Sequence, residues 1–348
     1  MSSKNTSIRD VAGQSGVSAS TVSRVMTGSS TQIPISKETR ERVMKAAREL
    51  GYRPHPSARA LSGKRTNLIG VIAREIGDPF FAELIEVISS AAKERGYDLV
   101  LGNAKRDPEQ ALALRDTMLD LRFCDGILLC GDLAESPEDH RFLSRLEADQ
   151  RLVSVARGIT QHVGQSASVG VDNRKGTLLA MDYLVGLGHR KIACFCVDRV
   201  GDLWERLEAY REFMLNHVGE IPLDYIQSAE NSPSGGYRAA RDLLMLASPP
   251  TAIFALDDTM AVGALSAAID LGMSVPRSIS IVGFDDAPMS SFVRPALTTI
   301  RQPIQSMGEQ AVASLVGMIE GRVLSNSERR VCLEPVLVVR GSSGPPGV

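Results

Sequence analysis

Two pairs of adjacent carboxylates, Asp257-Asp258 and Asp285-Asp286, and a Cys-x-Cys at Cys194 and Cys196 are the first side chains in this sequence whose types could do chemistry. Paired carboxylates suit general acid–base work. Adjacent residues in a loop point in different directions, however, so one member of each pair capping a helix is the simpler reading. The two thiols, two apart on a strand, share a face and could begin a metal site. No histidine or cysteine neighbour completes a ligand set, and a packed core accounts for them better. His140, His162, His189 and His217 are scattered, and Gly131, Gly158 and Gly164 lack the spacing of a phosphate loop. No Gly-x-Gly-x-x-Gly follows a strand, and there is no Walker loop, His-Glu-x-x-His or Cys-x-x-Cys. The expectation is a binder, with no catalytic residues, no metal and no cofactor.

A different chemistry stands near the N-terminus. Ser18, Ala19, Ser20, Thr21, Ser23 and Arg24 are small or polar, and Arg24 offers a planar fork of donors that matches guanine O6 and N7. The element that must carry them is a helix. Ile8, Val11 and Ala12 recur at helical spacing, Gly13 to Gly16 is rich in breakers, and Gly16 can take the positive φ of a tight turn. Ser18 can cap a second helix, whose inner face is Val22 and Val25. Helix, short turn, helix is the geometry that lays the second helix in a DNA major groove. A third helix follows, with Ser36 as N-cap, Glu38 in the first turn, a stripe of Val43, Ala46, Ala47 and Leu50, and Gly51 as the stop. Taken alone, the pattern also fits a plain three-helix subdomain.

Charge supports the first reading. Residues 1–65 carry twelve Lys and Arg against four Asp and Glu, whereas the remainder carries 27 against 37. A basic head on an acidic body points to a polyanion partner for the head alone. The 348 residues allow two or three domains at roughly 150 residues each. With 43% hydrophobic and 23% charged residues, the chain is neither collagenous, disordered nor a disulfide mini-protein. Its five cysteines, mostly inside apolar runs, read as free thiols in a reducing compartment. No run of 18 apolar residues occurs and Met1 to Arg9 is polar, so no membrane partner and a cytoplasmic location are expected.

The run Ser7-Ile8-Arg9-Asp10-Val11-Ala12, then Gly16-Val17-Ser18 and Ser20-Thr21-Val22-Ser23-Arg24-Val25, resembles the head of LacI/GalR-family transcriptional repressors. Glu38-Thr39-Arg40-Glu41-Arg42-Val43 and Leu50-Gly51-Tyr52-Arg53-Pro54 continue the likeness. Residues 53–66, opened by two prolines and closed by Gly63, read as a linker with a helix-capable stretch from Ser57 to Leu61. The composition alone also fits a flexible basic tether. The resemblance implies a hinge helix that folds when two copies meet on operator DNA. In it, Leu61 is the wedge that opens a minor-groove base step, Ala58 permits close helix approach and Arg59 contacts phosphate.

From Asn67 the pattern changes to strands alternating with helices. Strands are expected at 68–73, 98–102, 126–130 and 151–156, with helices at 80–95, 108–122 and near 137–148. A second series begins after Val171. It has helices at 174–187, 202–216, 235–247 and 258–271, and strands at 191–196, near 225–229, and at 251–255 and 279–283. A helix at 304–320 and a last strand at 331–339 end the chain. Two such lobes imply a cleft, and ligands of such sheets bind outside the carboxyl ends of the strands. Val169-Gly170-Val171-Asp172-Asn173, Asp257-Asp258-Thr259-Met260-Ala261 and Val282-Gly283-Phe284-Asp285-Asp286 resemble landmarks of the same family. The expected class is α/β: an N-terminal helix-turn-helix head plus a bilobed periplasmic-binding-protein type I-like core of two doubly wound parallel sheets. The expected domains are 1–52 for the head, 53–66 for hinge and linker, and 67–348 for the core. Its lobes are about 67–165 with 290–325, and about 166–289 with 326–341.

Candidate cleft residues are Phe80, Phe81, Arg157, Asp172, Arg206, Asn231, Asp257 and Asp285. Arg206 matches a family arginine that faces ligand, Asn231 lies where some relatives place an aromatic, and Asp257 stands where the family usually has Asn. Carboxylates and guanidiniums fork onto adjacent hydroxyls, so a sugar-like effector is expected, with a sugar acid or sugar phosphate left open by the arginines. The reading is a homodimeric repressor on an inverted-repeat operator, controlled by that effector. The alternative is a solute-binding protein of a transport system with the same core.

Overall fold

The computed structural model describes residues 6–27, 34–52, 65–120, 123–133, 151–157, 166–196, 201–219 and 221–347. The chain divides into two compact units, Met1–Thr66 and Asn67–Val348. Ala58, Arg59 and Leu61 of the expected hinge, and the helix expected near 137–148, lie outside the described residues.

In the first unit α1 (Ile8–Ser15), α2 (Ala19–Thr27) and α3 (Lys37–Glu49) surround one small core. Val11, Ala12, Val22, Val25, Val43, Ala46 and Ala47 fill it, with Leu50 packed alongside. The turn between α1 and α2 is made by Gly16 at φ 66°, as a left-handed helix end requires. The caps are those the sequence offers. Ser18 Oγ accepts the Thr21 N–H at 3.2 Å and Ser36 Oγ accepts the Thr39 N–H at 3.2 Å.

The second unit holds two six-stranded sheets. The first contains β1 (Leu68–Ala73), β2 (Asp98–Asn103), β3 (Gly126–Cys130), β4 (Leu152–Val155), β5 (Ala167–Val171) and β11 (Arg330–Leu333) in the order β11-β5-β4-β3-β1-β2, all parallel. The second contains β6 (Ile192–Cys196), β7 (Ile226–Ser228), β8 (Ala252–Phe254), β9 (Ser280–Asp285), β10 (Thr298–Arg301) and β12 (Val336–Val338) in the order β12-β10-β9-β8-β6-β7. It is parallel except for β12, which pairs antiparallel with β10. Central strands such as Leu68-Ile69-Gly70-Val71-Ile72-Ala73 are near-continuous apolar runs because helices cover both faces. The first sheet is covered by α4 (Pro79–Glu94), α5 (Pro108–Arg115) and α10 (Ile304–Ile319). The second is covered by α6 (Asn173–Gly186), α7 (Gly201–His217), α8 (Pro233–Leu244) and α9 (Asp258–Asp270). Each lobe has its own core, the second centred on Phe195, Phe254, Ile281 and Phe284.

The lobe edges differ from the sequence expectation. Ala167–Val171 joins the first sheet, Thr298–Arg301 joins the second, and the expected last strand at 331–339 is two strands in different sheets. The break falls at Glu334-Pro335, where proline removes a ladder donor. The chain therefore passes between lobes three times, at Asp172, at Gln302-Pro303 and at Glu334-Pro335. These passages are laced together: the Asp172 N–H donates to the Leu333 carbonyl at 2.9 Å, and Lys175 Nζ meets Glu334 at 2.7 Å. Among the described residues no helix is long and apolar enough to cross a membrane.

Candidate functional site

On the head, α2 buries Val22 and Val25, so the residues between them point elsewhere. Ser20 is exposed and Thr21, Ser23 and Arg24 are partly exposed. Ser18 is exposed and engaged with the Ser20 and Thr21 hydroxyls at 2.8 and 2.9 Å. Ala19 leans on the core, closer to the interior than its placement on the outer face implied.

In the core, loops that leave the carboxyl ends of the strands meet across a cleft. Several begin a helix with a capping carboxylate. Asp78 accepts the Phe80 N–H at 3.0 Å, Asp172 the Lys175 N–H at 2.8 Å and Asp257 the Met260 N–H at 2.8 Å. Helix N-termini are thereby aimed at one region.

Arg206 is the best anchored group there. It is 1% exposed, and its Nη1 donates to the Leu256 carbonyl at 2.6 Å and to Asp285 Oδ1 at 3.2 Å. Its Nε donates to Asn173 Oδ1 at 2.9 Å and its Nη2 to Asp202 at 3.3 Å. Arg157 is buried and pairs with Asp132 at 3.3 Å. The backbone of Ala156 and Asp285 is left-handed, with φ 54° and 116°. Such conformations in residues other than glycine cost of order 1–3 kcal/mol and gather at functional sites.

The carboxylates are electrostatically uncomfortable. Burial pushes Asp257 up to about 6, with the nearby Asp78 adding to the rise and Arg206 opposing it. Burial also raises Asp78 and lifts Asp285 well above the usual range. Asp258, pushed by burial to about 7, turns away from the cleft. It accepts the Ala287 N–H at 2.8 Å and the hydroxyls of Ser290 and Thr299 at 2.6 and 2.5 Å. The first carboxylate pair thus divides into a helix cap and a structural acceptor. The second departs from that expectation, since neither Asp285 nor Asp286 caps a helix. Asp285 holds Arg206 and Gln302, and Asp286 holds Arg301 and Arg340 at 2.6 Å each.

A pocket of about 290 Å³ opens between Glu75, Gly77, Asp78 and Pro79 on one lobe and Asn231, Ser232, Pro233 and Thr259 on the other, with Arg106 at its wall. The Asn231 amide is buried there with both its nitrogen and its oxygen unpartnered. A side chain of that kind is built to receive a donor and an acceptor together.

Of the eight expected cleft residues, Arg206, Asp257 and Asp285 come together, Asn231 lines the pocket with Asp78, and Arg157 lies against Asp132. Asp172 sits at a lobe crossing. Phe80 and Phe81 are corrections: they are 6% and 2% exposed, pack edge to face at 5.2 Å and belong to the core of the first lobe. An amphipathic helix start buries its first apolar pair, which their spacing after Pro79 could have shown. Sequence reasoning missed Arg74 and Asp202; Asp78 stood in the candidate run after the first strand and Asn173 in a landmark, neither with a role. Cys194 lies in the second core, as its apolar strand suggested.

Residues 7–55 match the family described as bacterial regulatory proteins, lacI family, and residues 181–343 match the periplasmic binding protein-like domain. The HTH-type transcriptional regulator MalR of Clostridium butyricum is 34% identical over 343 residues, covering 96% of this chain and 98% of that one. A crystal structure of the lac repressor dimer bound to operator and the anti-inducer ONPF superposes with a TM-score of 0.84 at 27% identity, covering 98% of this chain and 100% of that one. The transcriptional regulator CelR in complex with cellobiose gives a TM-score of 0.69 at 28% identity, covering 97% and 100%.

Proposed function

Since this chain belongs to the lacI family of bacterial regulatory proteins, we propose that it is a cytoplasmic, homodimeric repressor that reads an inverted-repeat operator and is controlled by a small sugar-like effector in the inter-lobe cleft. The observation that carries the reading is the joint one: near full-length similarity to a transcriptional regulator, together with an α2 that buries Val22 and Val25 while presenting Ser20, Thr21, Ser23 and Arg24. In this reading Arg24 and its neighbours contact base edges. The segment 53–66 is the hinge, with Ala58, Arg59 and Leu61 at the minor groove. Catalysis has no part in it, and the named relatives are regulators.

The sugar reading is supported by the chemistry of the cleft. Its residues are guanidiniums, carboxylates and one open amide, groups that fork onto hydroxyls. The two phenylalanines that could have stacked on a flat base are in the core. CelR, a relative in fold, was solved with cellobiose. The testing experiment is a gel shift against genomic fragments, repeated with sugars and with purines. Sequence-selective, salt-sensitive retention that a sugar alters supports the proposal. Retention altered by purines alone removes the sugar, and equal retention of scrambled duplex removes the regulator.

A further inference from the structure

Arg74 reaches across the cleft. It follows β1 on the first lobe, its side chain is 8% exposed, and its Nη1 lies 3.5 Å from Asp202 Oδ1 on α7 of the second lobe. Its backbone is fixed on both sides: its N–H donates to the Cys130 carbonyl at 2.9 Å, and its carbonyl accepts the Arg106 N–H at 3.0 Å. Its guanidinium also sits 5.1 Å from the Phe81 ring and 3.9 Å from Asp78. The other oxygen of Asp202 takes Arg206 Nη2 at 3.3 Å. One carboxylate is thus shared between guanidiniums of opposite lobes. Two neighbouring contacts accompany it. Arg106 donates to the Asn231 carbonyl at 3.4 Å, and Gly201 lies so near Asp132 that a Cβ would stand 2.9 Å from the Asp132 Cβ.

We propose that Arg74 is an inter-lobe clasp: it closes the two lobes through Asp202, so that an effector acts against an ion pair the chain supplies itself. Without Arg74, Asp202 keeps Arg206 on its own lobe but loses its charge contact with the first lobe, so the pair bears on closure more than on the charge of Asp202 itself. Locally the carboxylates Asp78, Asp202, Asp257 and Asp285 face the cations Arg74, Arg106 and Arg206. Arg74 lowers both Asp78 and Asp257 against the rise that burial imposes. Without its charge that relief is lost, and with it the ion pair that spans the two lobes. Where the cleft is the effector site, as proposed above, the pocket that a ligand enters beside the clasp offers the carboxylates of Glu75 and Asp78 as acceptors. That favours a hydroxyl or an ammonium and disfavours a phosphate, narrowing the effector to a neutral or amino sugar.

The clasp is tested on the full chain without DNA or effector. Arg74→Ala should enlarge the radius of gyration in small-angle scattering and lower Tm by roughly 5–10 °C. Millimolar methylguanidinium at constant ionic strength should reverse both changes, whereas tetramethylammonium should not. No reversal, or equal reversal by the two cations, overturns the clasp. If Arg74→Ala does not fold, Asp202→Asn unties the same pair from the other lobe, and an unchanged radius of gyration for it overturns the clasp as well. Operator retention by the wild-type chain, measured separately, reports on the regulator reading, so the two can fail independently.

Discussion

The guanidinium of Arg206 lies over the ring of Phe284, its central carbon 3.7 Å from the ring centroid. The ring holds one face of the guanidinium while Asn173, Leu256, Asp202 and Asp285 take its edge donors. A lysine keeps the charge but has neither the plane nor the fork. Arg206→Lys should therefore fold, retain operator and bind effector at least about tenfold more weakly, near 1.4 kcal/mol. Calorimetry with any sugar that raises the wild-type Tm checks this; unchanged affinity would show that Arg206 is only a strut.

Arg24 is the one cation among the outward residues of α2, and a bidentate contact to guanine discriminates between bases. Arg24→Ala should cost about 1–3 kcal/mol on the selected operator and relax the preference at one base pair. A base-substitution series in a competition gel shift reads this directly. Equal loss on operator and random DNA would instead make Arg24 a phosphate contact.

The head was legible because its determinants are local. Ser18, Gly16, Val22, Val25 and Ser36 each act within a few residues of themselves, and capping and periodicity describe such effects. The second-lobe cleft residues were legible for other reasons: strand ends locate Asp257 and Asp285, and Arg206 came from the family resemblance, since it lies within a helix. Arg74 and Asp202 were not. They are 128 residues apart, and their pairing arises only when two sheets turn their carboxyl ends toward each other. Phe80 misled because a strand-end position says nothing about which way a ring turns. The split of the last strand was hidden by apolar residues on both sides of Pro335, which read as one run although the two halves enter different sheets.

Gly201 permits the close approach beside the clasp. Its φ is 88°, and a Cβ there meets Asp132 at 2.9 Å. Gly219 also has a positive φ, 103°, but a Cβ there meets nothing within 4 Å. Gly219→Ala should cost only backbone strain, about 1 kcal/mol. Gly201→Ala should cost a further 1–3 kcal/mol or so from overpacking, and should also enlarge the radius of gyration. Urea unfolding of the two variants separates the terms; equal losses would mean that the lobes do not meet at Gly201.

Stability should respond to pH with two opposing signs. His189 is buried, and its imidazole meets the Thr251 hydroxyl at 2.9 Å, the Ser280 hydroxyl at 3.1 Å and the Gly344 carbonyl at 2.9 Å. Burial lowers its pKa below 6.5, so the fold favours the neutral ring. Its contribution is complete above that value and is lost as pH falls below it, because the unfolded chain takes up the proton that the buried ring refuses, although the Gly344 carbonyl favours the charged ring. Asp258 has the reverse sign. Burial raises it to about 7, so the fold holds its proton and the associated stability is lost as pH rises from the carboxylate range through about 7. Urea midpoints should therefore rise on acidification from about pH 8 downward, and rise less steeply below about pH 6.5, where the His189 loss offsets part of the Asp258 gain. Asp258→Asn should flatten the rise, and His189→Gln should steepen it below about pH 6.5. An unchanged rise in Asp258→Asn would assign that proton to another carboxylate, and an unchanged slope below about pH 6.5 in His189→Gln would mean that the fold does not depend on the neutral ring.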